Sequence, residues 1–301
     1  MKILIITQKV NKEDPILGFF HRWIEEFARH YKQVSVICLE KGEYQLPENV
    51  SVYSLGKEKG ASRLKYVINL YRYVFALKKD YDVVFVHMNQ EYVLLAGIIW
   101  KFLGKKVFLW RNHVKGNWLT SMAVSLSNKV FYTSPKSYTT RFRKALRMPV
   151  GIDTAFFKAD PEAKRIPGSI VFLGRIAPIK RVLEFIDWLK EVDFSVCTIA
   201  GSALPEHEKY EQEVRQKVKQ YNLGDKVKFL GAVNQTEARK LYQTHETYVN
   251  FTPSGSFDKT MFEAALCGAK IVSKNPDFEN LKHEDHSLEA LMQKLLLAMN
   301  E

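Results

Sequence analysis

Along the first half of the chain, short β-branched runs alternate with longer segments whose apolar positions recur at helical spacing. KILIIT, VSVICL, DVVFVH, KKVFLW and NKVFYTS read as strands, and GFFHRWIEEFARHY, RLKYVINLYRYVFALKK and EYVLLAGIIWKFLG as helices. The strands show little polar alternation, as expected where helices cover both faces of a parallel sheet. Between Arg63 and Lys79 the spacing predicts an amphipathic helix. Leu64, Val67, Ile68, Tyr71, Val74 and Phe75 form its apolar face, and Arg63, Lys65, Arg72, Lys78 and Lys79 its basic one. The rhythm stops at MPVGIDTAFFKADPEAKRIPG, which holds three prolines and two glycines, so a domain boundary is expected between residues 1–150 and 151–301. It restarts with SIVFLG, KRVLEFIDWLKEV, FSVCTIAG, a polar helix from Pro205 to Tyr221, KVKFLG, and a helix near Glu237 to Tyr242. TYVNF, TMFEAALCG, AKIVS and a last helix from Ser287 to Met299 follow. The predicted class is α/β, with two Rossmann-like, doubly wound parallel-sheet domains.

Composition narrows this reading. A chain of 301 residues suits two cores, and 46% hydrophobic with 26% charged residues excludes intrinsic disorder. Cys38, Cys197 and Cys267 are odd in number and each set in an apolar run, which predicts reduced core thiols and a reducing compartment. MKILIIT enters a strand without a signal-peptide pattern, and the apolar run from Tyr92 to Trp100 is too short to span a bilayer. A cytoplasmic location is therefore expected. Charge divides unevenly: residues 1–150 carry 25 Lys and Arg against 11 Asp and Glu, net +14, whereas the whole chain is +12. A one-sided positive field attracts polyanions or an anionic membrane, unless it is simply a solvated face.

Candidate chemistry gathers at strand ends. Gly174, Gly201 and Gly231 each close a strand of the second half, where backbone can approach a ligand beyond the carboxyl edge of an open sheet. Arg175 and Lys180 follow the first of them and can neutralise a diphosphate, although two cations alone read equally as solvated. Ser254, Gly255 and Ser256 form a turn before a helix whose first amides suit phosphate oxygens. Glu263, inside that helix, can accept both hydroxyls of a ribose. Its apolar neighbours Phe262, Ala264, Ala265 and Leu266 sit awkwardly with an ordinary exposed glutamate. In the first half, His87 and His113 end or follow strands and are expected at the ligand-facing rim.

VGIDTAFF, FLGRIAPIKRVLEFI, the AG and FLG strand ends and PSGSFDKTMFEAALCGAKIV occur in this order. Through them nearly the whole chain resembles the retaining glycosyltransferases of family 4, which have the GT-B architecture of two domains facing across a cleft. The resemblance implies that Arg175 and Lys180 hold the diphosphate of a nucleotide-sugar donor, UDP- or GDP-linked, and that Glu263 holds the ribose. The backbone of Phe257, Asp258, Lys259 and Thr260 would meet the distal phosphate and sugar. Gly18 corresponds to a glycine loop facing the donor phosphates, and His113, ranked above His87, to the histidine beside the donor sugar. Arg111 and Asn112 reach the same cleft. Gly255 stands where the first of the family's two glutamates is expected, with Asp258 as the candidate replacement carboxylate.

In such enzymes the departing phosphate acts as base, so neither a protein nucleophile nor a cofactor beyond the donor is expected. No metal is expected either, since no cluster of His, Asp or Cys with metal-ligand spacing is read in the sequence. The first domain would take a glycan or lipid-linked acceptor, at the inner face of a membrane. Cations and aromatics near the Arg63 helix, Trp110 and Trp118 would rest on anionic lipid. The tail after AKIVS is short, which points to truncation or absence of the helix that often returns to brace the first domain. Other nucleotide-binding Rossmann enzymes are an alternative, but GxGxxG is missing after both opening strands. Nucleic acid is not expected as a partner, because no recognition motif accompanies the charge. Gly255 also leaves room for an inactive sugar-nucleotide-binding scaffold.

Overall fold

In the computed structural model, which describes residues 1–255, 258–281 and 284–301, the β-branched runs of the first half form one parallel sheet. Its elements are β1 (Lys2–Val10), α1 (Phe19–His30), β2 (Gln33–Lys41), β3 (Val50–Ser54), α2 (Arg63–Ala76) and β4 (Val83–His87). α3 (Gln90–Phe102), β5 (Lys106–Trp110), α4 (Trp118–Leu126), β6 (Lys129–Tyr132) and β7 (Ala145–Arg147) complete it. The seven strands lie in the order β3-β2-β1-β4-β5-β6-β7. Sequence pattern missed the two edge strands, and their burial explains why: every residue of β3 and β7 is only half-buried, so neither needs a continuous apolar run. It also missed α4, which begins at a capping box between Asn117 and Thr120.

Successive residues of the central strands serve opposite faces. Ile3, Ile5 and Phe85 pack with α1, whereas Leu4, Ile6, Val84 and Val86 pack beneath α2, α3 and α4. α2 differs from its sequence reading. Of the expected face it buries Val74, together with Leu70, which lies outside that face, whereas Leu64, Ile68 and Phe75 are 70%, 50% and 49% exposed. The helix carries apolar residues on two sides, and periodicity alone does not say which side meets the sheet. Trp110 is likewise corrected: it is buried edge-to-face on Trp23, with centroids 5.0 Å apart, and is not a surface aromatic. Cys38, Cys197 and Cys267 are buried and unpaired, and burial pushes the Cys38 thiol up to about 12.

The second unit, Ile152–Ser287, repeats the scheme with β8 (Ile166–Leu173), α5 (Val182–Glu191), β9 (Val196–Ala200), α6 (Glu208–Gln220) and β10 (Val227–Gly231). α7 (Gln235–Thr244), β11 (His245–Asn250), α8 (Thr260–Leu266), β12 (Lys270–Ser273) and α9 (Pro276–Leu281) follow. The order β10-β9-β8-β11-β12 is parallel throughout. Each sheet therefore reverses its winding once, between β1 and β4 and between β8 and β11. At such a switch point the outgoing loops diverge and leave room for a ligand.

The end of the chain departs from the expected division at residue 151. The last helix, α10 (Leu288–Asn300), belongs to the first unit with Met1–Gly151. The returning helix is thus present, and the reason is its apolar stripe: Leu288, Leu291, Met292, Leu295, Ala298 and Met299 are buried in the same core as Phe20, Trp23 and Phe27. Close fit is needed, since a Cβ on Gly151 would stand 2.3 Å from Leu291 and 2.7 Å from Trp23. Truncating Leu291→Ala removes a fully buried side chain and is expected to lower stability by about 2–5 kcal/mol. A urea midpoint unchanged from wild type would show that α10 does not brace this unit.

Candidate active site

At the carboxyl edge of the second sheet, three strand ends meet at their glycines. Gly174 N–H donates to Ala200 O at 2.9 Å, and Gly201 N–H to Gly231 O at 2.6 Å. The approach depends on a missing side chain: φ of Gly201 is +140°, and a Cβ there would lie 1.9 Å from Gly174 O. This edge is consequently bare backbone, flanked by the loops that leave β8 and β11.

Those two loops are joined by charge. Lys180, in a short 3-10 turn after β8, pairs with Asp258, which follows β11 by eight residues; their side chains are 13% and 8% exposed. Asp258 accepts further hydrogen bonds from Asn250 Nδ2 at 2.8 Å and Thr260 Oγ1 at 2.7 Å. Burial is the largest influence on Asp258 and pushes its pKa up. The Lys180 ammonium and these hydrogen bonds outweigh burial and hold the carboxyl at about 2. Tyr248, buried on β11, donates to Leu173 O at 3.3 Å and accepts from Asn250 at 3.0 Å, so the polar cluster spans both strands.

The next residue, Lys259, caps α8 and lies 3.7 Å from Glu263, which is 5% exposed. Glu263 is buried among residues that include Phe262 and Ala264, as its apolar neighbours in sequence suggested. Burial raises its pKa, with Lys259 opposing and the Asp258 charge adding to the rise. Burial lowers Lys259 to about 8 against the pull of Glu263 and Asp258, although about a quarter of the side chain meets solvent. Both groups would gain from a ligand that brings an anion to Lys259 and hydroxyl donors to Glu263. Arg175 is exposed beside this edge. Gly255 N–H donates to Asp277 at 2.6 Å, and Ser254 Oγ to the same carboxylate at 2.8 Å. Ser256 and Phe257 lie outside the described residues.

Residues assigned to the first unit serve more varied ends. Gly18 follows a turn so tight that a Cβ would stand 2.6 Å from Asp14 O and 2.9 Å from Lys12 O, so packing alone requires glycine. Asp14 braces that turn by accepting from Leu17 N at 2.7 Å and pairing with Lys9 at 2.9 Å. His87 ends β4 at the switch point, but its ring is 1% exposed, stacked on Phe20 at 3.9 Å, with Nδ1 3.3 Å from Thr7 Oγ1. The expected rim histidine is thus enclosed in the core.

Asn112 is also occupied, accepting from Thr133 N at 3.2 Å and Ser134 N at 2.8 Å. His113 remains exposed, with Nδ1 3.0 Å from the Lys115 amide. Arg111 donates to Lys115 O at 2.9 Å, its Nη1 has no hydrogen-bond partner among the described residues, and burial lowers its pKa. His113 and Arg111 therefore share one loop after β5. Sequence reasoning missed Tyr248, Asn250 and Asp277. Of these only Asn250, a polar residue inside the run TYVNF, offered a signal.

Residues 167–294 match the family described as Glycosyl transferases group 1, and residues 16–111 the one described as Glycosyl transferase 4-like. Two curated relatives are each named for one subunit of phosphatidylinositol N-acetylglucosaminyltransferase. The Arabidopsis thaliana protein is 32% identical over 139 residues, covering 43% of this chain and 29% of the relative. The Homo sapiens protein is 25% identical over 266 residues, covering 77% and 52%. The chain spans about half the length of these relatives or less. Among solved structures, Anabaena HepE in complex with UDP and glucose aligns at TM-score 0.73 and 18% identity, over 100% of this chain and 90% of that one. Sucrose-phosphate synthase of Thermosynechococcus elongatus aligns at 0.71 and 14%, over 100% and 91%. These likenesses are of fold.

The buried ion pair makes a stability prediction. Asp258 is held below its unfolded value near 3.8, so it contributes stability that is complete above about pH 4 and is lost as pH falls through about 2. Asp258→Asn leaves Lys180 buried without its counter-charge and is expected to cost about 3–5 kcal/mol at pH 7. The wild-type and variant melting curves should converge as pH falls toward 2; an equal gap at pH 7 and pH 2.5 would contradict the assignment.

Proposed function

The chain belongs to the group 1 glycosyltransferases and has their GT-B architecture, and from that premise we propose a retaining, metal-independent transfer from a nucleoside diphosphate sugar. The observation that carries this reading is the charged carboxyl edge of the second sheet, where Lys180, Lys259 and Glu263 gather beside bare backbone. A uridine or guanosine donor fits it, and uridine is favoured because HepE was solved with UDP and with UDP-glucose. A glycan or lipid-linked hydroxyl is the acceptor. The named activity of the phosphatidylinositol relatives supports a lipid-linked one.

In the proposed reaction the acceptor oxygen bonds to the anomeric carbon as the bond from that carbon to the diphosphate oxygen breaks. The electron pair stays on the diphosphate, whose oxygen takes the acceptor proton on the same face of the sugar. The products are a glycoside and a nucleoside diphosphate. Arg175, Lys180 and Lys259 offset the charge that grows on the leaving group, in place of a metal ion. Glu263 accepts from the ribose, and Gly255, Thr260 and the amides at the start of α8 line the phosphate and sugar. From the first unit, His113 and Arg111 reach the donor sugar, and the Gly18 turn faces the phosphates. The first unit is the acceptor side in this reading and the second the donor side.

Donor affinity should fall as pH rises past about 8, where Lys259 loses its proton in the free protein; bound diphosphate, holding that proton, raises the value. Calorimetric titration with UDP and GDP between pH 6.5 and 9.5 tests this, and a flat profile would remove Lys259 from the site. Glu263→Gln is expected to weaken donor binding about 10-fold to 100-fold, and Arg175→Ala to lower kcat by about 100-fold or more. With UDP-glucose or UDP-N-acetylglucosamine and a lipid extract, the product should keep the α configuration by NMR. An inverted product would overturn the retaining mechanism, and donor binding without turnover across acceptors would favour the inactive scaffold.

A further inference from the structure

α2, α3 and α4 cover one face of the seven-stranded sheet side by side. Tyr71 donates to Leu95 O at 3.0 Å, and Lys101 to Ser125 O at 3.3 Å, which makes α3 the middle helix. Each buries one apolar stripe in the common core, yet each also presents a second stripe to solvent. Leu64, Ile68 and Phe75 recur at one angular position on α2, with Ile98 and Phe102 one turn apart on α3 and Trp118 and Met122 one turn apart on α4. Phe102 and Trp118 are 88% and 71% exposed. Scattered exposed apolar residues are ordinary, but stripes on three adjacent helices of one layer mark a contact surface.

Charge identifies the occupant. Residues 61–106, which hold α2 and α3, carry eight Lys and Arg against three Asp and Glu. Lys65 and Arg72 flank the α2 stripe, Lys78 and Lys79 follow its end, and Lys101 lies beside Ile98 and Phe102. Apolar tips amid an excess of cations match the acyl boundary and headgroups of an anionic bilayer, where long basic side chains reach the phosphates. No helix among the described residues is long and apolar enough to cross a membrane, so the contact is with one leaflet.

We propose that the outer face of α2, α3 and α4 docks on an anionic lipid surface. The inference is independent of the sugar chemistry: it invokes none of the residues assigned to donor binding, and the donor reading can fail while it stands. Vesicles of phosphatidylcholine with and without 30% phosphatidylglycerol, a composition of order typical for such assays, provide the test. Sedimentation should recover the full chain with the anionic vesicles and leave it in the supernatant with neutral ones. Trp118 emission should shift to the blue and be quenched by bromolipid, and Trp118→Phe should abolish that quenching.

Ile98→Glu with Phe102→Glu should return the protein to the supernatant while its melting temperature stays near wild type, because both side chains already face water. Neutralising Lys78 and Lys79 should weaken binding about fivefold per charge. Equal supernatant recovery on both vesicles would overturn the proposal. So would anionic-vesicle binding undiminished by the paired glutamates, or a concentration-dependent dimer in scattering that those glutamates dissolve, since the stripe would then belong to a second copy.

Discussion

The Lys180–Asp258 ion pair is the constraint on which the second unit's site depends. Its partners are 78 positions apart and leave neighbouring strands at the point where the winding reverses, the one place where the sheet does not itself hold the loops together. Asp258 is buried and Lys180 largely so, and separating them would leave charge with little water and no partner. Asp258 therefore fixes the 3-10 turn after β8 and, through Thr260, the first residue of α8. Lys259 and Glu263 inherit their positions from that start. A contact made for internal charge balance thus sets the geometry of every candidate donor-binding group beyond it.

The two switch points carry different chemistry although their topology is alike. Beyond β8 and β11 the groups are ionised or close to it: a carboxyl held low, an ammonium pushed down and a second carboxyl pushed up. Beyond β1 and β4 the same place is filled by stacked rings, with His87 against Phe20. Charge in the first unit lies instead on the helix faces, in the Lys9–Asp14 pair that braces the turn after β1 and in the loop of Arg111 and His113. Duplicated architecture has accordingly been given one switch point built from buried charge and one packed with rings.

Much of the fold was legible because central strands of a two-faced parallel sheet must be apolar at every position. The central strands β8, β9 and β11 of the second sheet announced themselves this way, and its edges β10 and β12 through shorter apolar runs, whereas the edges β3 and β7, half-buried throughout, did not. α2 failed for the opposite reason, an excess of apolar signal. Leu64, Ile68 and Phe75 fit a core stripe as well as Leu70 and Val74 do, and only the sheet beneath decides between them. In the site, Glu263 stood out through its apolar neighbours, and the glycines through their repeated place at strand ends. The pairing of Lys180 with Asp258 had no local trace, since separation in sequence hides any contact that the topology alone brings about.

Gly255 illustrates how a departure in sequence is absorbed by structure. A glutamate expected there would place a carboxylate at the turn before α8; with glycine, the turn instead meets the carboxylate of Asp277 from α9. Each Asp277 oxygen accepts from this turn, one from Ser254 and the other from the Gly255 amide, so its primary work is to hold the backbone. Asp258, the other carboxylate available, is committed to Lys180, Asn250 and Thr260. Neither can release its partners without disturbing the turn or the start of α8. In the proposed reaction, recognition of the transferred sugar would therefore lean on backbone amides and hydroxyls at this turn more than on a free side-chain carboxylate, with Glu263 left for the nucleoside.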